Sequence, residues 1–254
     1  MERRRASCHQ CGYCDNIPPS PRRPRDFPLP EGGLPGLREA EYRQVAEEVL
    51  ARVKARLSGG GTRFVPVAVS ARHIHLTRES LETVYGRGHE LSKLRDLSQP
   101  GQYAAEETLT VVGTRMRTIE GVRILGPLRD YTQVELARTD GITLGIDLPV
   151  RDSGKLSGSS PIVLVGPAGA LALEEGAIRA TRHIHASDQD AAAFGVKDGQ
   201  CVSVRVPGEK GVIFENVLVR TGPSFLLEMH LDTDDANAAD VYCDMLVEIL
   251  SQNH

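Results

Sequence analysis

The stretch Ala71-Arg72-His73-Ile74-His75-Leu76-Thr77 returns later in the chain as Thr181-Arg182-His183-Ile184-His185-Ala186-Ser187. Both copies hold an Arg-His-Ile-His run with a hydroxyl residue two positions after the second histidine, and the chain has only eight histidines. Because side chains alternate between the two faces of a strand, residues i and i+2 point the same way. The pattern therefore predicts two strands, each with two imidazoles on one face and an isoleucine turned into apolar packing.

Two imidazoles at this spacing can chelate one metal ion. A single pair could equally be an exposed strand edge or a hydrogen-bonded pair in a core. The repetition with matching flanks favours metal binding over these alternatives. Ligation rich in imidazole indicates Zn²⁺ first, without excluding cobalt, nickel or iron.

Two further side chains are candidate metal ligands. Glu135 is a carboxylate in a polar strand, although a lone strand carboxylate is more commonly solvated. His230 lies where strand alternation turns it away from Met229 and Leu231, and alone it would be interpreted as a half-buried histidine. Together with the two pairs, these residues make five imidazoles and one carboxylate. That set suffices for two metal ions with positions left open for substrate or water.

The segments that follow the two histidine stretches indicate the fold class. Thr77 and Ser187 are plausible N-caps of short helices, one over 78–85 that ends at Gly86 and one through 191–194 that ends at Gly195. A last helix is expected over about 235–249. Many short strands with few helices favour small β-barrels over a sandwich or a βαβ fold. We therefore expect a mainly β protein with two related small β-barrel domains and short capping helices, with strands at 108–112, 121–125, 143–148, 161–165, 201–206 and 212–219.

The N-terminal region has a different composition. Six of the fifteen prolines lie between Pro18 and Pro30, so residues 1–38 are expected to form a disordered tail. Within this tail Cys8, Cys11 and Cys14 could bind a metal or simply be loose thiols, and their role stays open. Residues 39–57 have apolar positions at helical spacing, and a glycine linker follows. This amphipathic helix could be a docking peptide for a larger assembly, or it could fold onto the first domain.

Composition argues against two classes of partner. The net charge of −4 and the absence of tryptophan do not suit a nucleic-acid-binding protein. No apolar run approaches the roughly 18 residues of a membrane span. We therefore expect neither a nucleic-acid nor a membrane partner.

Several segments resemble the PduL-type phosphate propanoyltransferases (phosphotransacylases) of bacterial microcompartments. The resemblance implies an acyltransferase that interconverts an acyl-CoA plus phosphate with an acyl phosphate plus CoA, with propanoyl-CoA or acetyl-CoA as the acyl-CoA. It also implies two β-barrels with a di-zinc site between them. The segments stand in the family's order and lie at Val67–Thr77, Asp96–Thr108, Leu125–Glu135, Arg182–His185 and His230–Ala238.

Site residues follow from this resemblance by motif. One zinc would be held by His73, His75 and Glu135, and the second zinc by His183, His185 and His230. Arg129 would bind phosphate. The residues that fall where the family contacts CoA are Ser70, Arg95, Arg123, Leu125, His230 and Asn237.

Domain limits also follow from the resemblance, because the family's first barrel is discontinuous. We expect a tail at 1–38 and a helix with linker at 39–62. Domain 1 would then comprise 63–71 with 181–254, and domain 2 would comprise 72–180.

The resemblance further implies partners and a location. Family members destined for microcompartments often carry an amphipathic targeting peptide, so residues 39–57 could bind shell or lumen proteins. The expected location is the microcompartment lumen or otherwise the cytoplasm, and the family suggests a homodimer.

Two other functions compete with the transferase. A metal-dependent hydrolase would attack an acyl thioester with zinc-bound hydroxide, but such enzymes usually sit on a (β/α)8 barrel, for which this chain has too few helices. A non-catalytic zinc-binding scaffold protein would leave Arg129 and Asn237 without a role.

Overall fold

The computed structural model describes residues 63–250. Strands dominate this part of the chain, and its four helices are short, with seven or eight residues each. None of these helices has the length and apolar character needed to cross a membrane. In chain order the elements are β1 (Arg63–Ser70), β2 (His73–His75), α1 (Arg78–Tyr85), β3 (Lys93–Asp96), β4 (Tyr103–Val112), β5 (Thr118–Gly126), β6 (Gln133–Glu135), α2 (Arg138–Leu144), β7 (Val150–Arg151), β8 (Ser160–Val165), β9 (Ala170–Ala180), β10 (His183–Ala186), α3 (Asp188–Phe194), β11 (Cys201–Val206), β12 (Val212–Thr221), β13 (Glu228–Asp232), α4 (Thr233–Ala239) and β14 (Leu246–Ile249).

The strands form two closed barrels of six strands each. The first barrel has the order β1-β13-β10-β12-β11-β14 and closes through the antiparallel pairing of β14 with β1. The second barrel has the order β4-β5-β2-β6-β9-β8 and closes through the pairing of β8 with β4. Two further short strands pair outside the ring, β3 with β4 and β7 with β9. The prediction of a mainly β protein with two barrels and short helices is confirmed. The predicted tail and amphipathic helix of residues 1–62 lie outside the described residues.

The barrels are related by their strand pairing. In the second barrel, β2 pairs in parallel with β5 and antiparallel with β6. In the first barrel, β10 pairs in parallel with β12 and antiparallel with β13. The chain crosses between the barrels twice, because β1 leads into β2 and β9 leads into β10. Both crossings end at a histidine pair, so the repeated sequence lies where the two barrels meet.

Each barrel has its own apolar core. Valine and isoleucine side chains from β1, β10, β11, β12 and β14 fill the first core together with Met229 and Leu231 of β13, and branched residues of β2, β4, β5 and β8 fill the second. Ile74 and Ile184, the central residues of the two histidine stretches, are fully buried in these cores, as predicted. Burial of the isoleucine fixes which face of the strand carries the two histidines.

Two of the helices begin and end at the predicted signals. The Thr77 side chain accepts a hydrogen bond from Ser80 N at the start of α1. Ser187 and Asp190 form a capping box at the start of α3, and Gly195 ends this helix with φ of 64°. A left-handed backbone of this kind is typical of glycine at a helix end.

Two sequence predictions were wrong. The expected strand at 143–148 is the end of α2 and the loop after it, because Asp140 Oδ2 caps the helix by accepting from Ala137 N at 3.0 Å. The expected last helix at 235–249 ends at Ala239, since Asp240 takes a left-handed conformation. After a turn the chain forms β14, which completes the ring of the first barrel.

A core substitution should be far more costly than a surface one of the same type. Ile184 is 1% exposed, whereas Ile142 on α2 is 65% exposed. We expect Ile184→Ala to lower the free energy of unfolding by about 2–5 kcal/mol, and Ile142→Ala to change it by less than about 0.5 kcal/mol. Chemical denaturation of both variants measures the difference, and equal costs would contradict the assignment of Ile184 to the first core.

Candidate active site between the two barrels

The two histidine pairs occupy equivalent positions in the two barrels. Ring centroids are 4.9 Å apart for His73 and His75 and 4.8 Å apart for His183 and His185, so each pair shares one strand face as predicted. Cross-strand register places Glu135 directly opposite His73. The same register in the first barrel places His230 opposite His183.

Each barrel thereby assembles a group of three potential metal ligands. The groups are His73, His75 and Glu135 in one barrel and His183, His185 and His230 in the other, and the ligand atoms within each group lie within 4.8 Å of one another. Buried ring nitrogens with no hydrogen-bond partner occur in both groups, at His75 Nδ1, His185 Nδ1 and His230 Nε2. A buried polar atom without a partner is costly, and a metal ion would satisfy it. The residues therefore fit a metal ion that prefers nitrogen and oxygen ligands, as Zn²⁺ does.

The first histidine of each pair is oriented by its own backbone. Nδ1 of His73 lies 2.8 Å from the carbonyl oxygen of Ala71, and Nδ1 of His183 lies 2.8 Å from that of Thr181. A carbonyl can only accept, so Nδ1 carries the hydrogen in both rings and Nε2 is left with the lone pair that a metal requires. Such contacts beyond the ligands fix the tautomer and ring orientation of metal-binding histidines.

The arginine before each pair is tied to the helix that follows the third ligand. Arg72 Nη2 lies 2.8 Å from Asp140 Oδ1 on α2. Arg182 Nε lies 2.7 Å from Asp235 Oδ2 on α4. Both aspartates are the third residue of their helix. The Arg-His-Ile-His run is thus anchored at its start in the same way in both barrels.

Burial and neighbouring charges set the ionisation of these groups. Burial lowers the pKa of His183 to about 4 and that of His185 to about 2, and repulsion from His230 adds to both shifts. The pKa of His75 is likewise lowered by burial and by His73. Burial also lowers the pKa of His73, but the Glu135 carboxylate outweighs it and leaves this pKa raised. Burial raises the pKa of Glu135, yet His73 outweighs it and holds this pKa well below its usual range.

These shifts predict that the metal-free protein loses stability on acidification. In the unfolded chain the His183 ring binds a proton below about pH 6.5, but in the folded protein it does so only near pH 4. Since the unfolded state binds more protons between these values, the free energy of unfolding falls as the pH is lowered from about 6.5 to 4. His75 and His185 act in the same direction. Thermal unfolding of the chelated protein between pH 7 and pH 4 measures the slope. We expect a shallower slope in His183→Gln, and identical slopes would contradict a buried neutral His183.

Both ligand groups face one cleft of about 440 Å³ between the barrels. Two guanidinium groups reach it, Arg129 from the second barrel and Arg220 from the first. Such a mixture of imidazoles and cations suits an anionic substrate. The cleft is lined by Ser70, His73, His75, Leu97, Gln99, Pro100, Gly101, Gln102, Leu125, Pro127, Arg129, Tyr131, Glu135, Ser153, His183, His185, Arg220, Phe225 and His230.

Arg129 is held in place by three contacts. Its backbone N–H donates to Leu76 O at 2.9 Å, directly after the first histidine pair. Its Nη1 donates to Tyr131 Oη at 2.7 Å, and its guanidinium carbon lies 5.7 Å from the centre of that ring. The remaining guanidinium N–H groups can donate to a ligand in the cleft.

The predicted CoA contacts fall into two sets. Ser70, Leu125 and His230 line the cleft, and Ser70 Oγ lies 3.4 Å from His230 Nδ1. Arg95, Arg123 and Asn237 are not among the residues of its wall. Arg123 donates to the carbonyl oxygens of two residues on β4. Arg95 belongs to β3 and lies opposite Ala104 of β4, and Asn237 is an exposed residue of α4.

Sequence reasoning missed several residues of the site. Gln133 Nε2 donates to Glu135 Oε1 at 2.6 Å, and Glu228 Oε2 lies 3.1 Å from His230 Nε2 but outside hydrogen-bond geometry. Burial raises the pKa of Glu228, but the contacts with His230, Ser98 and Gln99 together outweigh burial and leave this pKa lowered. Strand alternation could have found both residues, since each lies two positions before a predicted ligand. Arg220 had no comparable signal in the sequence.

A cleft with two histidine-rich groups and two arginines is typical of an enzyme site that suits an anionic substrate. Comparison with known proteins agrees that the chain is an enzyme. The model of the family described as phosphate propanoyltransferase matches residues 66–242. A phosphate propanoyltransferase of Lachnoclostridium phytofermentans is 51% identical over 206 residues, which cover 81% of this chain and 96% of the relative. One from Thermotoga maritima is 52% identical over 185 residues, with 72% and 88% covered, and one from Salmonella typhimurium is 50% identical over 178 residues, with 70% and 84% covered.

The chain therefore belongs to the phosphate propanoyltransferase family and is an acyltransferase. This confirms the resemblance found in the sequence motifs.

Proposed function

We propose that this protein transfers an acyl group between CoA and phosphate in the cleft between its barrels, with propanoyl-CoA or acetyl-CoA as the thioester. Membership of the family supports the reaction class. The observation that carries the proposal is that two ligand groups and Arg129 open into the same cleft. Thioester, phosphate and catalytic groups can therefore meet at one place.

Each ligand group would hold one Zn²⁺ ion, the first through His73, His75 and Glu135 and the second through His183, His185 and His230. Neutral imidazoles bind metal, and the lowered pKa values of His75, His183 and His185 keep these rings neutral at pH 7. When bound, the ions would supply Lewis acidity toward the thioester carbonyl or phosphate and would stabilise the departing CoA thiolate.

Arg129 would bind the phosphate. Phosphate is a weak nucleophile at a carbonyl, so its placement limits the reaction, and a guanidinium can hold two of its oxygens in a fixed geometry. A phosphate oxygen would then attack the thioester carbonyl carbon, the carbon–sulfur bond would break, and CoA would leave as its thiolate. Holding both substrates together supplies a large share of the barrier reduction.

The CoA molecule would extend from the cleft along the second barrel. Ser70, Leu125 and His230 would contact the part of CoA within the cleft. Arg123 lies two positions before Leu125 on β5, so it shares the face of Leu125. We propose that Arg123 and Arg95 offer positive charge to the CoA phosphates and that Asn237 contacts CoA beside His230.

The wider organisation is also a proposal. The pairing of β1 with β13 and β14 supports a discontinuous domain 1 of 63–71 with 181–254, next to a domain 2 of 72–180.

We further propose a homodimer in the microcompartment lumen, with residues 39–57 as the targeting segment that binds shell or lumen proteins. Size-exclusion chromatography with light scattering tests the dimer, and fusion of residues 39–57 to a fluorescent protein tests the targeting.

The reaction is tested by release of CoA from propanoyl-CoA and acetyl-CoA, followed with a thiol reagent. The assay is run with and without phosphate, and before and after removal of metal with a chelator. We expect release only when both phosphate and metal are present, with Zn²⁺ restoring the activity of the chelated protein. Comparison of the two thioesters identifies the preferred acyl chain.

The alternative functions predict different results in the same assay. Release that needs metal but not phosphate would identify a hydrolase. A protein that binds zinc but releases no CoA under any condition would be a scaffold.

A further inference from the structure

A partly buried carboxylate, Glu228, lies where the two barrels meet. Its Oε2 accepts from Ser98 Oγ at 2.5 Å and from Gln99 Nε2 at 3.2 Å, and both donors belong to the second barrel's connection between β3 and β4. The same oxygen lies 3.1 Å from Nε2 of His230 in the first barrel. The side chain is 12% exposed. One oxygen atom thus contacts residues of both barrels.

The connection that Glu228 contacts forms one wall of the cleft. We call residues 97–102 the cleft loop, because five of its six residues line the cleft and the sixth, Ser98, contacts Glu228. Gln99 is 4% exposed and clamps the loop to the first barrel, since its Nε2 donates to Leu226 O at 3.0 Å and its Oε1 accepts from Leu226 N at 3.2 Å. The cleft loop is therefore attached to Leu226, two positions before β13, and through Glu228 to β13 itself, the strand that carries His230.

The equivalent position of the second barrel shows a matching arrangement. Gln133 lies opposite His75, as Glu228 lies opposite His185. Gln133 donates to Glu135, a carboxylate that accepts, whereas Glu228 offers an acceptor next to the ring of His230. In both barrels the residue two positions before the third ligand therefore places a polar atom beside that ligand. This makes an accidental contact at Glu228 a poor explanation.

We propose that Glu228 is a positioning residue of the transferase site, which holds the cleft loop and the ring of His230 in a fixed mutual arrangement. The inference rests on the proposed function, which places CoA at Arg95 on the strand directly before the cleft loop and assigns His230 to the second metal group. Contacts beyond the ligands typically change metal affinity or activity by about 10- to 100-fold when they are removed.

Three variants separate the two sides of this arrangement. Glu228→Ala removes the contacts with the cleft loop and with His230. Ser98→Ala removes the hydrogen bond from Ser98 Oγ to Glu228 and leaves the contact of Glu228 with His230 in place. Glu228→Gln keeps the shape and an oxygen that can accept from the loop. Glu215→Gln, an exposed carboxylate of the same barrel, is the matched control. Each is assayed for kcat, for the KM values of acyl-CoA and phosphate, for zinc affinity by competition with a chelating dye, and for thermal stability.

We expect Glu228→Ala to weaken binding of one of two zinc equivalents by about 10- to 100-fold, to lower kcat and to raise the KM of acyl-CoA more than that of phosphate. Ser98→Ala should raise the KM of acyl-CoA with zinc affinity unchanged. Glu228→Gln should restore the KM of acyl-CoA and part of the zinc affinity. A merely structural role would instead lower thermal stability and move all kinetic constants together.

Wild-type zinc affinity and kinetics in Glu228→Ala would overturn the inference. If that variant fails to fold, Ser98→Ala and Glu228→Gln decide, and unchanged values in both would overturn it. If the wild-type protein shows no phosphate-dependent release of CoA, the proposed function fails. The zinc titrations of wild type and variants still test the contact of Glu228 with His230 in that case.

Discussion

Replacement of Arg129 by glutamine should lower phosphate-dependent release of CoA by about 100- to 1,000-fold, a loss typical of removing a donor that stabilises developing charge. Glutamine retains a hydrogen-bonding amide but lacks the charge and the forked pair of donors that match phosphate. The KM of phosphate should rise, because binding as well as reaction depends on this group. Steady-state kinetics at varied phosphate and fixed propanoyl-CoA measures both effects.

Zinc content distinguishes a direct role of Arg129 from a structural one. Arg129 is not part of either ligand group, so Arg129→Gln should retain the zinc content of the wild type. Arg87→Gln, at an exposed arginine just after α1, is the control for loss of one positive charge and should have wild-type kinetics. Loss of zinc from Arg129→Gln, or an unchanged KM of phosphate, would remove Arg129 from the proposed role.

The parts of the fold that were predicted correctly are those that local sequence determines. Strand alternation fixes the face of His73 and His75 once Ile74 is buried, and the buried isoleucine was visible in the sequence. Helix signals at Thr77 and Ser187 were equally local, because a cap depends on residues within one turn. Repetition of the whole unit then predicted two related barrels.

The errors occurred where local preference and tertiary structure disagree. Residues 143–148 contain threonine, isoleucine and leucine that favour a strand, but Asp140 and Gly145 supply the two ends of a helix. Residues 246–249 were assigned to a helix, although Val247 and Ile249 alternate with less buried neighbours. What makes them a strand is pairing with β1, which lies about 180 positions earlier in the chain.

The residues missed at the site depend on contacts between distant segments. Glu228 meets Ser98 and Gln99 across the two barrels, at a separation of about 130 positions. Arg220 reaches the cleft only because β12 pairs in parallel with β10. Alternation along β13 places Glu228 on the face of His230, but neither the contact of Glu228 with the second barrel nor the pairing that brings Arg220 to the cleft has a signature in a single sequence. A pattern in one strand can therefore identify ligands and the residues on their face, but not the distant segments that these residues contact.

Removal of a single imidazole should separate the two ligand groups. We expect His73→Ala to lose about one equivalent of zinc and nearly all transferase activity, since the remaining His75 and Glu135 would leave only two protein ligands where three are usual at a catalytic zinc. His183→Ala should lose the other equivalent, because its group lies in the other barrel. Zinc per chain, measured by elemental analysis after gel filtration, gives both values.

His89 provides the matched control for these two substitutions. Its ring stacks on Tyr85 and its Nε2 lies 3.1 Å from Glu107, so it is a half-buried histidine outside both ligand groups. His89→Ala should keep two zinc equivalents and most of the activity. If His73→Ala also kept both, His73 would not be a ligand. If either His73→Ala or His183→Ala lost both zinc equivalents, the two groups would be one cooperative site. Zinc binding by one ligand group would then depend on the zinc ion in the other.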